Sequence, residues 1–423
     1  MSNFELKSTQ TASLRLIYLL VFIDMMGIGM VIPVVQPLIQ SITGQAPTNI
    51  IFLNGMLIAS YSAASFLCAP LMGALSDHFG RRPLLLLAMF GLTLDHLLLA
   101  GAPSVFWVFA ARIFAGVCGE SYVVAMAYIA DVSAPEERTK RYGYMGVMWG
   151  TGFILGPAIG GILGDASTFD SDWWRAHSVR LPFYGAALLS LANLIYGYFV
   201  LPESLPKSRR TTRISILQAN PLAAFTGFTH RPMIVRLVLI AFFSGLAFQT
   251  LLTNWNIFLQ TKFDWGTREI GLLLMFVGII GALVQGGLMN TLNQRFGEWR
   301  LLMIGLLAQA IEMFATGGAT VLWVLLAGTV IGGLMNVVHP TVSSLASQSV
   351  GESEQGAIQG AIAGIDSVAG IIGPLLSAWV FDEVVQAFGA PDGVMHFGGA
   401  MALIAAGVLW WTRRPASLDM QNH

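Results

Sequence analysis

The sequence predicts an all-α membrane protein with twelve transmembrane helices in two six-helix, pseudo-symmetric halves. Three observations carry that prediction. The 423 residues are 55% hydrophobic and only 11% charged, whereas a soluble domain needs about 25% charged residues to cover its surface. Apolar runs of bilayer length, about 20 residues, recur along the chain. Motifs at the end of the second run and inside the fifth return at the end of the eighth and inside the eleventh.

The runs lie near 14–36, 50–72, 84–101, 104–129, 142–164 and 181–201, then near 233–257, 268–289, 300–317, 320–347, 357–380 and 394–412. The first follows a long polar stretch, MSNFELKSTQTASLR, exceeds a signal h-region and has no cleavage site after it. It is therefore expected to stay as a membrane helix. The halves are 1–201 and 233–423. Between them, 202–232 carries Pro202, Lys207, Arg209, Arg210, Arg213, Pro221 and Arg231, and is expected as a basic cytoplasmic linker. Its Ile214–Leu222 stretch fits a short interfacial helix.

Orientation follows from lysine and arginine placement. With both termini cytoplasmic, 17 of these residues lie inside: Lys7, Arg15, Arg81, Arg82, Arg138, Lys140, Arg141, Lys207, Arg209, Arg210, Arg213, Arg231, Arg236, Arg295, Arg300, Arg413 and Arg414. Only Arg175, Arg180, Lys262 and Arg268 lie outside, and Arg112 falls within a span.

Composition also excludes functions. A net charge of -1 gives no basic footprint for nucleic acid. Cys68 and Cys118 sit singly in apolar runs, which suits small buried filler rather than a disulfide or a metal site. No nucleophile–base set, zinc motif or P-loop is visible. The expectation is a transporter rather than an enzyme or receptor, with no cofactor, no metal and no directly bound ATP.

The repeat is specific. GALSDHFGRRPLLL (Gly73–Leu86) follows the second run, and GGLMNTLNQRFGEWRLL (Gly286–Leu302) follows the eighth, with Asn290 read at the place of Asp77. GTGFILGPAIGG (Gly150–Gly161) lies in the fifth run and GIIGPLLSAW (Gly370–Trp379) in the eleventh. Parallel repeats of this kind place a substrate between the halves, near the bilayer midplane.

Gly73–Pro83 resembles the loop motif after helix 2 of major facilitator transporters, Arg112–Gly116 their helix-4 arginine motif, and Gly152–Gly161 the helix-5 motif associated with antiporters. Within that family the chain resembles drug:proton antiporters and, among them, tetracycline efflux proteins. The stretch from Asp24 to Pro33 resembles their helix 1, Ala127–Asp131 with Glu137 and Arg138 the end of helix 4, and Gln359–Leu376 helix 11. The resemblance covers about residues 15–415 and implies the major facilitator fold and proton antiport. It departs at Gln309, where those pumps carry a helix-9 acid, at Gly281, where they carry a helix-8 histidine, and at Glu120, where they have small residues.

Charge at membrane depth costs about 2.5–3.5 kcal/mol per residue, so each instance needs a reason. Asp24, Asp95, Glu120, Glu312 and Asp366 are the acids inside the runs, and Arg112 the base. Proton coupling needs a carboxylate that exchanges its proton in one conformation only. Asp24 and Asp95 match the intramembrane aspartates of the resembled pumps; a structural hydrogen bond to a helix terminus is the alternative for Asp24. His96, adjacent to Asp95, points elsewhere. Arg112 is implied by the family to tune a nearby carboxylate, or else anchors carbonyls. Glu120 fits a cavity-facing acid or a helix-locking ion pair. Glu312, one turn after Gln309, can share a cavity with it, and Asp366 precedes Gly373-Pro374. Asn254 and Trp255 lead the other cavity candidates, which include Asn54, Gln249, Gln285, Asn336 and His339.

Gly73, Asp77, Gly80, Arg81, Arg82, Arg138 and Arg141 are expected to form a cytoplasmic gate, with Asp77 meeting helix N-termini or basic residues such as Arg138 and Arg141. Arg81 and Arg82 can also contact membrane lipid. Gly152, Gly156, Pro157 and Gly160 give the small-residue spacing that lets helices approach closely. The resulting expectation is a monomeric, multi-pass protein of the bacterial inner membrane. It exports small amphipathic compounds in exchange for protons by alternating access. The alternative is a carrier of the same fold for a metabolite or siderophore.

Overall fold

The computed structural model describes residues 3–119, 121–211, 230–351, 354–388 and 392–412. Those residues form helices, turns and short irregular links, with no strand among them. Twelve helical stretches are long and apolar enough to cross a membrane. Numbered spans 1–12, they run Leu14–Val31, Pro47–Phe79, Arg81–Gly101, Val105–Asp131, Lys140–Gly164, Asp172–Val200, Pro232–Phe263, Thr267–Phe296, Glu298–Gly318, Leu322–Gln348, Ala357–Val384 and Gly393–Trp411. The chain is a multi-pass membrane protein. Ile214–Leu222, Arg213, Arg413, Arg414 and Glu120 lie outside the described residues.

Several boundaries differ from the sequence reading, and three of them have a clear local reason. Span 1 stops at Val31 instead of continuing to 36, because Pro33 cannot donate to a continuing helix and Ile32–Val34 form a turn. The Gly73–Pro83 motif is not a loop. Its helix continues to Phe79, and only Gly80, at φ 108°, breaks the chain before the next helix starts at Arg81. Hydropathy detects where the bilayer ends, whereas a helix ends where a glycine adopts positive φ. The same holds in the second half, where Gly297, at φ 70°, divides Met289–Phe296 from Glu298–Gly318. Counted back from these glycines, Gln294 rather than Asn290 occupies the place of Asp77, so this position carries no charge in the second half.

The chain divides into two compact units: Met1–Asn220 with Asn256–Ile279, and Pro221–Trp255 with Ile280–His423. Polar bonds explain why part of spans 7 and 8 belongs to the first unit. Asn256 donates to the Ile32 carbonyl at 2.8 Å, Gln40 to Gln260 at 3.1 Å, and Thr267 to the Gly161 carbonyl at 3.1 Å.

Glycines set the closest helix contacts. In span 5, Gly152, Gly156 and Gly160 bring their backbone onto span 1, where an added Cβ at Gly156 meets the Met26 carbonyl at 2.5 Å and Gly29 Cα at 2.8 Å. Pro157 and Gly161 likewise receive Gly271 and Thr267 of span 8. Spacing of four residues puts these glycines on one helix stripe, and without side chains the backbones pack directly.

Candidate functional site

Asp95 of span 3 is wholly buried, and Arg112 of span 4 donates to its Oδ2 through Nη2. The guanidinium carbon also lies 6.0 Å from the Tyr61 ring centroid. The structure thus brings Arg112 to Asp95. His96 turns toward span 6, where Nδ1 stands 3.2 Å from Ser190 Oγ. At membrane depth such a pair persists because each charge compensates the other, and removing one partner strands the second.

Asp24 of span 1 is equally buried but has a neutral partner. Asn193 of span 6 donates to its Oδ1 at 2.8 Å and to the Leu20 carbonyl at 3.0 Å. Among the described residues, no ion pair holds Asp24. A protonation change at Asp24 leaves no cation unpaired, whereas one at Asp95 strands Arg112. The two aspartates of this half are therefore chemically distinct. Ser190 and Asn193 escape the sequence reading, although their spacing in an otherwise apolar span is the signal that marks them.

In the second unit Gln309 and Glu312 are both buried and meet different neighbours. Gln309 accepts from Ser244 Oγ at 2.8 Å and donates to the Ser244 carbonyl at 3.0 Å, tying span 9 to span 7. Glu312 faces span 10, its carboxylate occupying the place where a side chain on Gly332 would stand. Its Oε2 has no hydrogen-bond partner among the described residues. Around a tightly packed helix, positions three apart are offset enough to meet different neighbours. Asp366 of span 11 meets His339 of span 10, with Oδ2 and Nε2 3.0 Å apart. Asn254 and Trp255 of span 7 are both buried. Asn254 donates to the Thr250 carbonyl at 2.9 Å.

Around Gly80, Arg81 joins four partners: Asp77 at 2.6 Å, Ser76 Oγ at 2.6 Å, Asp131 at 3.0 Å and, through its backbone N–H, Glu203 Oε1 at 2.8 Å. Glu203 thereby places a carboxylate at the N-terminus of span 3, where unpaired N–H groups favour negative charge. Ser204 donates to Asp131 at 3.0 Å, Arg210 pairs with Glu203 at 3.4 Å, and Thr211 N–H donates to the Asp77 carbonyl at 3.0 Å. Arg82 donates to the Tyr198 carbonyl at 2.6 Å.

The segment from Leu201 to Thr211 is thus strapped to the motif, a role of Glu203 that sequence spacing does not show. Gly80 is required on two counts, its positive φ and the Glu203 carboxylate that fills the space of a Cβ. Arg138 and Arg141 do not meet Asp77. They fold back on the end of the preceding helix, donating to the Ala130 carbonyl at 3.1 Å and the Val132 carbonyl at 2.9 Å, because helix C-termini leave such carbonyls unsatisfied.

The second half repeats this construction with opposite charge. Glu298, the first residue after Gly297, accepts from Ser344 at 2.7 Å and Gln348 at 2.9 Å near the end of span 10, as Arg81 grips Asp131 at the end of span 4. A family model for the Major Facilitator Superfamily matches residues 17–374. The chain belongs to the Major Facilitator Superfamily. This superfamily member is 34% identical to the class C tetracycline resistance protein of Escherichia coli over 361 residues, 85% of this chain and 87% of that protein. It is 32% identical to the class E protein of Escherichia coli over 365 residues, 86% of each. A mutant of the nucleoside transporter NupG matches with a TM-score of 0.77 at 14% identity, covering 94% of this chain and 99% of the other. At that identity the likeness is one of fold. The chain is accordingly a transporter of that superfamily.

Proposed function

We propose that this transporter exports small amphipathic organic compounds in exchange for protons, as a monomer in a bacterial inner membrane with both termini cytoplasmic. The proton gradient is its energy source, and it uses no cofactor. The observation that carries the reading is Asp24, a buried carboxylate bonded to an amide rather than a cation. In the same half the Asp95–Arg112 pair compensates its own two charges. The names of the class C and class E relatives concern resistance to tetracycline, which supports export of a drug-like compound. Glu120 remains part of the proposed proton-handling set.

Inverted membrane vesicles test the direction of exchange. With respiration acidifying the interior, adding an exported substrate dissipates the pH difference as protons leave. A pH difference unaffected by any amphipathic compound contradicts the proposal.

Carriage of a metabolite or siderophore is the second reading, and one observation favours it. Gln309 is committed to Ser244, and Gly281 presents only a backbone to Asn336, so the acid and histidine of the resembled pumps have no counterpart at these places. Accumulation of solute inside cells, rather than its depletion, identifies that reading.

A further inference from the structure

Four polar residues of the second unit form a row that joins three spans. Gln285 lies in a π-helical segment of span 8, Val284–Leu288, and donates to the Asn336 carbonyl at 3.4 Å. Asn336 lies in a 3-10 segment of span 10, Gly333–Val337, and donates to the Gly333 carbonyl at 2.9 Å. His339 follows on span 10 and meets Asp366 of span 11, with side chains 67% and 35% exposed. Gly281, one turn before Gln285, packs its backbone against Asn336, whose amide nitrogen stands 3.3 Å from where a Cβ would lie.

Two features mark this row as more than packing. Departures from α-helix at membrane depth persist where the backbone meets protein or water, and π-segments concentrate at functional sites. An accessible charged pair in otherwise apolar spans also has no packing purpose. Asp366 Oδ1, Asn336 Oδ1 and Gln285 Oε1 carry no hydrogen bond among the described residues and can accept, while each amide also keeps a second N–H. The carboxylate is the charged member of the set, and with the two amide oxygens it suits a donor-bearing cation.

We propose that Gln285, Asn336, His339 and Asp366 bind a cationic nitrogen of the transported compound, and that a proton on His339 competes with it for Asp366. This rests on the antiport reading above. With the imidazole protonated, the His339–Asp366 pair is neutral overall. Once that proton is lost, the carboxylate keeps an uncompensated charge and takes the cation. Binding therefore strengthens as pH rises and the imidazole gives up its proton. Asp366 is the charged group bonded to His339. Span 9 directs Glu312 at Gly332 and Glu298 at Ser344 and Gln348, away from the pair. Span 8 contributes the neutral Gln285.

The test uses full-length protein in lipid nanodiscs and ethidium, a permanent cation bearing primary amines, titrated by fluorescence between about pH 5.5 and about pH 8. Wild-type affinity is expected to rise about tenfold or more across this range. His339→Gln should bind with a flat pH profile, Asp366→Asn should lose about tenfold or more at the upper pH, and Asp366→Glu should recover part of the loss. No binding by the wild type, undiminished binding by Asp366→Asn, or an unchanged pH slope in His339→Gln overturns the proposal. Proton movement in liposomes separates the two claims. If Asp366→Asn still exchanges substrate for protons normally, this site fails while antiport stands. If the wild type moves no protons with any substrate, the antiport reading fails and the exchange at this site with it.

Discussion

Arg112 on span 4 donates to Asp95 on span 3, and the aspartate is wholly buried. Breaking a buried pair costs about 3–5 kcal/mol because one charge is left uncompensated. Arg112→Ala is expected to destabilise the protein by that order, and the double variant Asp95→Asn/Arg112→Gln by less than the single change. Chemical denaturation in detergent micelles checks both. A double variant less stable than Arg112→Ala contradicts the pairing account.

The span 1–span 5 contact makes a contrast between two glycines of the same helix. Gly156 lies against the span 1 backbone, whereas a Cβ on Gly150 meets nothing within 4 Å. Gly156→Leu should cost about 1–3 kcal/mol or prevent assembly, by overpacking. Gly150→Ala should stay within about 0.5 kcal/mol of the wild type. Melting followed by size-exclusion of the heated protein distinguishes them.

Glu203 holds the strap by accepting from Arg81 N–H and Leu205 N–H, at 2.8 and 3.0 Å. Hydrogen bonds to charged groups contribute about 1.5–3 kcal/mol. Glu203→Ala is expected to speed tryptic cleavage after Arg209 and Arg210 about tenfold or more. Cleavage at the wild-type rate means that Glu203 does not secure the strap.

Arg231, just before span 7, donates to both carboxylate oxygens of Glu354, at 2.9 and 2.8 Å. These hydrogen bonds hold the exposed Glu354 carboxyl below the ordinary glutamate range. A folded-state pKa lowered in this way stabilises the protein above the unfolded value, and the stabilisation disappears as pH falls through the folded value. The difference in Tm between wild type and Glu354→Gln should thus be constant near neutrality and vanish on acidification below the glutamate range. A difference that grows on acidification contradicts this assignment.

Apolar runs made all twelve spans legible in the sequence, because a bilayer imposes one length on every helix that crosses it. The helix through Gly73–Phe79 was not, since those polar residues leave the apolar zone before their helix ends at Gly80. The gate expectation also changed. Arg138 and Arg141 have the right charge to meet Asp77, but nearby carbonyls at the end of span 4 claim them first. Of the charged set, sequence placed Asp95 and Arg112 inside spans but could not pair them, since pairing depends on how two helices face each other. The His339–Asp366 pair was hidden for the same reason, with its partners 27 residues apart. Glu298 escaped because it repeats the position of Arg81 with the opposite charge.

Reconstituted liposomes with a pH-sensitive dye inside and an imposed proton gradient test the central claim most directly. Amphipathic cations, tetracycline and organic acids are added one at a time to wild type and to Asp24→Asn, with equal protein incorporation verified. Substrate-dependent proton movement in the wild type that is lost in Asp24→Asn is the predicted result. Equal proton movement in both, or none with any amphipathic compound, contradicts the account.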